Sequence, residues 1–294
     1  MNVRFYMDRA QQGNKALMES FGLERDARAG RRFKVVQKDT YVRYHREQFK
    51  GSTLSVRGGV LKTGDRQLTL YLELANDEKA QVAATFILVN ALVDESTRAE
   101  QDLPADVLAA AAATTVDLPD HGRPRTIELA KPRLDLGYQD LADRLGEDPG
   151  DPMSRRMERT IEAADCDEFG FLADTQDLMF GAMRMPRPDK LESFGPMTFV
   201  SDEGHRFGWA SMETRNIRFS QPRAGDSLCS IGAEIGLHAK IRHSRRWMFN
   251  SATGALVSMN DNVGIALDLD ARRSIEIPVK VRQQLERRHL PEFA

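Results

Sequence analysis

The sequence contains an internal repeat whose two copies lie 174 residues apart. Residues 89–104 align without a gap with residues 263–278. Pairs at this separation are Thr40/Thr214, Gly51/Gly225, Leu54/Leu228, Val89/Val263, Asp94/Asp268, Arg98/Arg272, Leu103/Ile277 and Pro104/Pro278. One separation shared by four segments indicates two copies of one supersecondary unit. Because this period is far longer than that of a solenoid, each copy is expected to be a whole domain, as a length of 294 residues permits.

The first copy is predicted to be one long helix followed by a meander of about four strands. Apolar residues on one helical face precede Gly22, which is a candidate stop signal. They are Val3, Met7, Ala10, Leu17 and Phe21. Strands are predicted over 53–61, 67–75 and 80–94, with a bulge at Gly58-Gly59 and a tight turn over 76–79. Residues 67–75 alternate leucine with other residues, which is typical of a half-buried strand.

The second copy repeats this order. A strand over 157–164 leads into a predicted helix over 172–185, and strands follow near 211–219, 227–237, 238–250 and 255–268. The domains are therefore predicted at 1–115 and 154–294, joined by a turn-rich linker over 116–153. A long helix wrapped by an antiparallel sheet is an α+β architecture, and two such units in tandem predict a double hotdog.

Composition excludes several classes of protein. Lys and Arg number 42 against 44 Asp and Glu, so the net charge of −2 provides no global field for nucleic acid. The sequence has no run of 18 apolar residues, so no membrane span is predicted. The first residues do not resemble a signal peptide. The two cysteines, Cys166 and Cys229, predict neither a disulfide framework nor a zinc site. A soluble, cytoplasmic protein is expected.

One strand resembles a strand of the hotdog acyl-CoA thioesterases. Residues 39–47, Asp-Thr-Tyr-Val-Arg-Tyr-His-Arg-Glu, and residues 51–56 resemble 4-hydroxybenzoyl-CoA thioesterase-like proteins, particularly the carnitine-catabolism (betainyl-CoA) thioesterases. Tyr41 stands where that family often has His. The similarity covers most of residues 1–104 and, more loosely, 154–280. It implies a hydrolase of acyl-CoA or acyl-carrier-protein substrates.

The start of the chain resembles part of a second family motif, Asp-x-Asn-Gly-His-Met-Asn-x-x-x-Tyr. Residues 1–6 match it from its methionine onward, so the first copy is predicted to lack its first strand, through a late start codon or a true truncation. The alternative is an accidental match. In the second copy Asp167 and Gly170 occupy the family's Asp and Gly positions, while Phe171 and Ala173 replace its His and Asn.

Thioester hydrolysis needs a carboxylate to activate water and donors for the developing oxyanion. Glu47 and Asp167 are equal candidates for the carboxylate, and Asn2 is a candidate for orienting substrate or water. The amides at a helix start are the candidate donors, and Gly170 would allow close approach. Glu47 corresponds to Gln221 in the second copy, as expected if one copy kept its acid. The alternatives are a salt bridge at Glu47, a turn or N-cap role for Asp167, and an N-cap role for Asn2.

Basic residues near Glu47 are candidates for binding coenzyme A phosphates. They are Arg43, Arg46, Lys50 and Arg57, with Arg242, Arg245 and Arg246 as a similar group in the second copy. Solvated strand edges are the alternative interpretation. Tyr44 and His45 share this segment and are further candidates for substrate contact, although His45 could equally be a packing residue.

The sequence therefore predicts an acyl-thioester hydrolase. No metal or redox cofactor is expected, and no nucleic-acid or membrane partner. The substrate is expected to be acyl-CoA or an acyl-carrier protein, and the assembly a monomer or homodimer. Two other functions stay open. A 3-hydroxyacyl-thioester dehydratase would need a His with a carboxylate, for which His45 and Asp167 are the candidates. A non-catalytic acyl-binding protein would result if both copies had lost their chemistry.

Overall fold

The structure is a computed structural model that describes residues 3–23, 32–49, 51–130, 135–146, 157–172, 199–200, 204 and 206–294. The chain forms two compact units. Unit 1 comprises Met1–Glu128 with Glu213–Arg218, and unit 2 comprises Leu129–Met212 with Phe219–Ala294. The domain bounds at 1–115, 116–153 and 154–294 stay a prediction.

Unit 1 is a helix followed by four antiparallel strands, in the predicted order. Its elements are α1 (Val3–Ser20), β1 (Phe33–Tyr44), β2 (Leu54–Thr63), β3 (Gln67–Asn76), β4 (Gln81–Asp94) and α2 (Ala105–Ala112). The strand order is β2-β3-β4-β1, and Glu213–Arg218 pairs with β1 beyond it. The turn after β3 is confirmed, because the side chain of Asn76 accepts the backbone N–H of Lys79 at 3.0 Å.

Helix α1 packs its apolar face against this sheet. Tyr6, Ala10, Met18 and Phe21 are each at most 4% exposed. The helix ends as predicted at Gly22, whose φ of 79° suits glycine. Val3 is the first helical residue, ahead of the buried Tyr6, and is 44% exposed.

The core of unit 1 follows the period-2 pattern of β3. Leu68, Leu70, Leu72 and Leu74 are at most 2% exposed and pack in one cluster with the inward residues of α1 and β4. The intervening residues of β3 point to the opposite face of the sheet. The sheet therefore has an inner face toward α1 and an outer face.

The bulge predicted at Gly58-Gly59 is wrong in position. The register of β2 against β3 shifts between Val60 and Lys62 instead. The glycines serve close approach, since a Cβ on Gly59 would overlap the carbonyl oxygen of Thr114. That carbonyl accepts the N–H of Val60 at 3.0 Å, so the chain after α2 adds to the edge of the sheet here.

Unit 2 is built mainly of antiparallel strands. Its elements are α3 (Tyr138–Leu145), β5 (Met157–Thr160), β6 (Phe199–Val200), β7 (Arg206–Arg218, whose second half belongs to unit 1), β8 (Ser227–Leu237), β9 (Ile241–Asn250), β10 (Leu256–Asp268), β11 (Arg273–Ser274) and α4 (Val279–Glu286). The strands run in the order β5-β8-β9-β10, with β11 beside β10. The helix predicted over 172–185 lies, after residue 172, outside the described residues.

Several elements have bounds that recur at the separation of 174 found in the sequence. Strand β9 corresponds residue for residue to β3, and α4 to α2. Special backbone conformations recur as well. Gly51 and Gly225 have φ values of 91° and 90°, and Arg98 and Arg272 have values of 60° and 53°. These recurrences support the interpretation of the chain as two copies of one unit.

Within the described part of the chain, no helix has both the length and the apolar character needed to cross a membrane.

Candidate active site

The segment after β1 is fixed against the beginning of α1. The hydroxyl of Tyr6 donates to the carbonyl of Arg46 at 2.9 Å and accepts the N–H of Gln48, also at 2.9 Å. Gln48 is buried, and its side-chain oxygen accepts the amide of Asn76 at 2.7 Å. Since Tyr6 belongs to the first turns of α1, these bonds hold residues 46–48 within one side-chain length of the helix start.

Glu47 lies between the two residues that Tyr6 holds. Its side chain is exposed, whereas that of Gln48 is buried, as alternation in an extended segment predicts. The first turn of a helix carries unpaired N–H groups and the positive end of the helix dipole. The structure thus places residue 47 between two backbone groups that bond to Tyr6, in the first turn of α1. Asn2 lies outside the described residues.

Tyr44, the last residue of β1, packs against Tyr6. Its ring meets that of Tyr6 edge to face, with centroids 5.5 Å apart. Burial raises the pKa of Tyr44 to about 12, with a hydrogen bond to Thr214 acting in the opposite direction. The hydroxyl therefore stays protonated at neutral pH and can donate a hydrogen bond but not act as a base.

The other candidates for substrate contact, Arg43, His45 and Arg46, have different surroundings in the structure. Arg46 is exposed beside Glu47. Arg43 donates to the carbonyls of His121 and Arg123 at 3.1 and 3.0 Å, so it fixes the chain that crosses the outer face. Nε2 of His45 lies 3.2 Å from the hydroxyl of Thr85.

The imidazole of His45 is neutral at physiological pH. Burial, together with the neighbouring cation Arg43, lowers the pKa of His45 to about 4. A base with so low a pKa is weak near pH 7. This favours the interpretation of His45 as a packing residue.

Asp167 and Gly170 form a tight turn in unit 2. One carboxylate oxygen of Asp167 accepts the N–H groups of Phe169 and Phe171 at 3.0 and 3.1 Å. Gly170 has a φ of 76°, and its N–H donates to the carbonyl of Asp167 at 2.9 Å. This is the geometry of an Asx turn, which agrees with the alternative interpretation of Asp167 as a turn residue.

The neighbouring thiol is not activated. Burial raises the pKa of Cys166, and the carboxylates of Asp165 and Asp167 raise it further. A thiol that resists ionisation is a poor nucleophile.

A polar cluster on the outer face of unit 1 was not predicted. The buried carboxylate of Glu73 accepts from Tyr71 at 2.7 Å and from Nε of Arg57 at 3.0 Å, and lies 2.5 Å from Nε2 of His121. Burial raises the pKa of Glu73, but these three contacts outweigh it and hold the pKa below its usual value. The only sequence signal was an isolated acidic residue in an otherwise apolar strand.

Amides buried under α1 were also missed. Asn14 and Asn90 exchange two hydrogen bonds, at 3.3 and 2.9 Å. Gln11 and Gln37 are paired in the same way, at 2.8 and 3.3 Å. Residues 11 and 14 lie on the helical face predicted to be apolar, so the apolar periodicity of α1 did not predict these polar contacts. Among the described residues, no group of three or more His, Cys, Asp or Glu could hold a metal ion.

The geometry can be set beside known proteins. Residues 1–111 match the family model of the Thioesterase-like superfamily. A search of curated proteins found no match to the sequence. Solved structures similar over most of their length include thioesterases. The 12:0-ACP thioesterase from Umbellularia californica has a TM-score of 0.62 and 12% identity, over 90% of this chain and 87% of that chain.

Two further structures agree with this result. A Lactobacillus plantarum protein assigned as an oleoyl thioesterase has a TM-score of 0.59 and 8% identity, over 88% of this chain and 87% of that chain. An acyl-ACP thioesterase from Bacteroides thetaiotaomicron has a TM-score of 0.50 and 12% identity, over 79% of this chain and 76% of that one.

These comparisons confirm the predicted α+β fold of double-hotdog type. The match to the Thioesterase-like superfamily model, over residues 1–111, includes the segment that holds Glu47.

Proposed function

We propose that this protein hydrolyses acyl thioesters of coenzyme A or acyl-carrier protein. The observation that carries the proposal is the match of residues 1–111 to the Thioesterase-like superfamily model, because this part contains both α1 and Glu47. The structural neighbours named for acyl-ACP thioesterases support the same reaction class at the level of the fold.

We assign the general base to Glu47 in preference to Asp167. Glu47 lies within the residues that match the family model and next to residues fixed by Tyr6 of α1, whereas Asp167 forms an Asx turn. In this mechanism the carboxylate takes a proton from water while the water oxygen attacks the thioester carbonyl. The first amides of α1 stabilise the tetrahedral oxyanion, and Asn2 orients the substrate or the water. Collapse of the intermediate breaks the C–S bond and releases the thiol, which takes up the proton.

The test is release of free thiol from butyryl-, octanoyl- and palmitoyl-CoA by the full chain. Glu47→Gln keeps the shape and removes the base, so kcat/KM is expected to fall by about 100-fold or more. Glu276→Gln, at an exposed position of unit 2, is the matched control and should leave the rate unchanged. If Asp167→Asn abolishes the activity and Glu47→Gln does not, the base belongs to unit 2.

Thiol release separates hydrolysis from the other functions. A dehydratase acting on 3-hydroxyacyl-CoA would form an unsaturated thioester without releasing thiol. A non-catalytic protein would bind acyl-CoA and release nothing. Either result in the wild-type chain would contradict the proposed hydrolysis.

A further inference from the structure

The inner face of unit 2 carries arginines where that of unit 1 carries leucines. On β9, Arg242, Ser244, Arg246 and Met248 alternate onto one side of the strand. At the separation of 174 these residues correspond to Leu68, Leu70, Leu72 and Leu74 of β3. Met248 still packs in an apolar cluster with Leu228 and Val257, so this side of β9 corresponds to the core side of β3.

The neighbouring strands place further polar groups on the same face. Arg246 lies opposite Gly232 on β8 and Asn260 on β10. Ser244 lies opposite Glu234 and Asn262 on the same two strands. The side-chain amide of Asn262 donates to the hydroxyl of Ser211 at 3.1 Å. The face is thus lined with hydrogen-bonding groups.

In the described part of unit 2, the arginines of this face outnumber its glutamates. The hydrogen bond of Arg246 goes to the neutral hydroxyl of Ser230, at 3.2 Å. Nη1 of Arg242 lies 3.5 Å from Glu234, and the guanidinium stacks over Trp209 at 4.4 Å from the ring centroid. A third guanidinium, that of the buried Arg288, donates to the carbonyl of Gly232. Among the described residues, Arg242 and Arg246 share this face with one glutamate, Glu234, and Arg288 lies beside Gly232.

Arg242 and Arg246 have fewer polar partners than their guanidinium groups can bind. Nε of Arg242 is buried and has no hydrogen-bond partner within the described residues. No carboxylate in the described part of the chain forms an ion pair with Arg246. Burial lowers the pKa of Arg246, and the charges of Arg288 and Arg242 lower it further. A partly buried charge with too few partners costs stability unless a ligand supplies the counter-charge.

We propose that Arg242 and Arg246, with Ser230, form a binding site for an anionic oxygen group, a carboxylate or phosphate, of a small organic ligand. The guanidinium fork suits two oxygens of either group, and the excess charge selects an anion. Arg245 has no part in this site, because it points to the opposite face and forms two hydrogen bonds with Asp261, at 2.6 and 3.0 Å. The site belongs to unit 2 alone, and its existence does not depend on thioester hydrolysis.

The test is calorimetric titration of the full chain with succinate, inorganic phosphate and coenzyme A at constant ionic strength. Arg246→Leu installs the residue of the first copy and is expected to weaken binding about tenfold or more. Arg246→Lys keeps the charge and should bind with intermediate affinity. Arg273→Leu, at an exposed position of β11, controls for the loss of one positive charge and should bind as wild type does.

The probes also distinguish the two sources of the anion. Tighter binding of succinate indicates a carboxylate on the acyl group, and tighter binding of phosphate and coenzyme A indicates the carrier. The proposal is wrong if none of the probes binds the wild-type chain. It is equally wrong if Arg246→Leu, folded by circular dichroism, binds them as Arg273→Leu does. These results are independent of thiol release, so this proposal and the proposed hydrolysis can fail separately.

Discussion

Removal of the carboxylate of Glu213 should strongly destabilise unit 1. This side chain is 1% exposed and accepts the hydroxyl of Tyr41 at 2.9 Å. It also accepts the backbone N–H groups of Arg125, Thr126 and Ile127 at 3.1 to 3.2 Å. Burial raises the pKa of Glu213, but these donors outweigh it and the net pKa is lowered. The carboxylate therefore fixes residues 125–127 to the sheet in its charged form.

The magnitude follows from the number of donors that one substitution affects. Glu213→Gln retains one acceptor oxygen and turns an NH₂ group toward N–H donors, so several charge-assisted bonds are lost at once. Breaking a buried charged network costs about 3–5 kcal/mol. Tyr41→Phe removes a single bond to a charged group and should cost about 1.5–3 kcal/mol. Either loss is large beside a total stability of about 5–15 kcal/mol.

Hydrogen exchange read by mass spectrometry can localise the effect. Both tryptophans, Trp209 and Trp247, lie in unit 2, so fluorescence would not follow unit 1. Amides of β4 should exchange about 100- to 4,000-fold faster in Glu213→Gln, since 1.4 kcal/mol corresponds to a factor of ten. The control Glu276→Gln should leave them unchanged. Acceleration of less than about fivefold would refute the assigned role of the carboxylate.

Three further predictions concern unit 1. The pKa of His45 is about 4 in the fold and 6.5 unfolded, so stability should fall by at most about 3 kcal/mol as the pH drops from 6.5 to 4. Solvent screening makes the loss smaller. Urea unfolding should show a flatter pH dependence for His45→Gln. Asn14→Leu should cost about 1–3 kcal/mol in urea unfolding by leaving Asn90 unpaired, and adding Asn90→Leu should recover part of it. Gly59→Ala should lower the melting temperature measured by circular dichroism, because its methyl group meets Thr114.

The order of elements could be predicted because it depends on local patterns. The leucines of β3 alternate at the period of a strand, and the turn at Asn76 uses an acceptor three residues from its donor. Helix α1 ends at Gly22 for an equally local reason, its positive φ. Such signals lie within a few residues of the structure they determine.

The polar clusters could not be predicted because their members are distant in sequence. His121 is 48 residues from Glu73, and Ile127 is 86 residues from Glu213. Periodicity carries no signal for such pairs. For neighbouring residues, however, the period of a strand is informative. Arg245 must face away from Arg246 if residues 241–250 form a strand. The sequence alone could therefore have placed Arg245 on one face and Arg242 and Arg246 on the other.

The two copies differ in side chains more than in backbone. Positions that determine chain direction recur, such as Gly51 and Gly225 with φ values of 91° and 90°. Side chains at inward positions are not retained, since Arg246 stands in the second copy where the first copy has Leu72. Burial of one leucine contributes about 1.5–3 kcal/mol, which the arginine forgoes while adding a desolvation cost. Arg246→Leu should therefore leave unit 2 as stable as wild type or more stable when no anion is present. A residue that is unfavourable for the fold at an inward position of a duplicated unit points to binding as the reason for its presence.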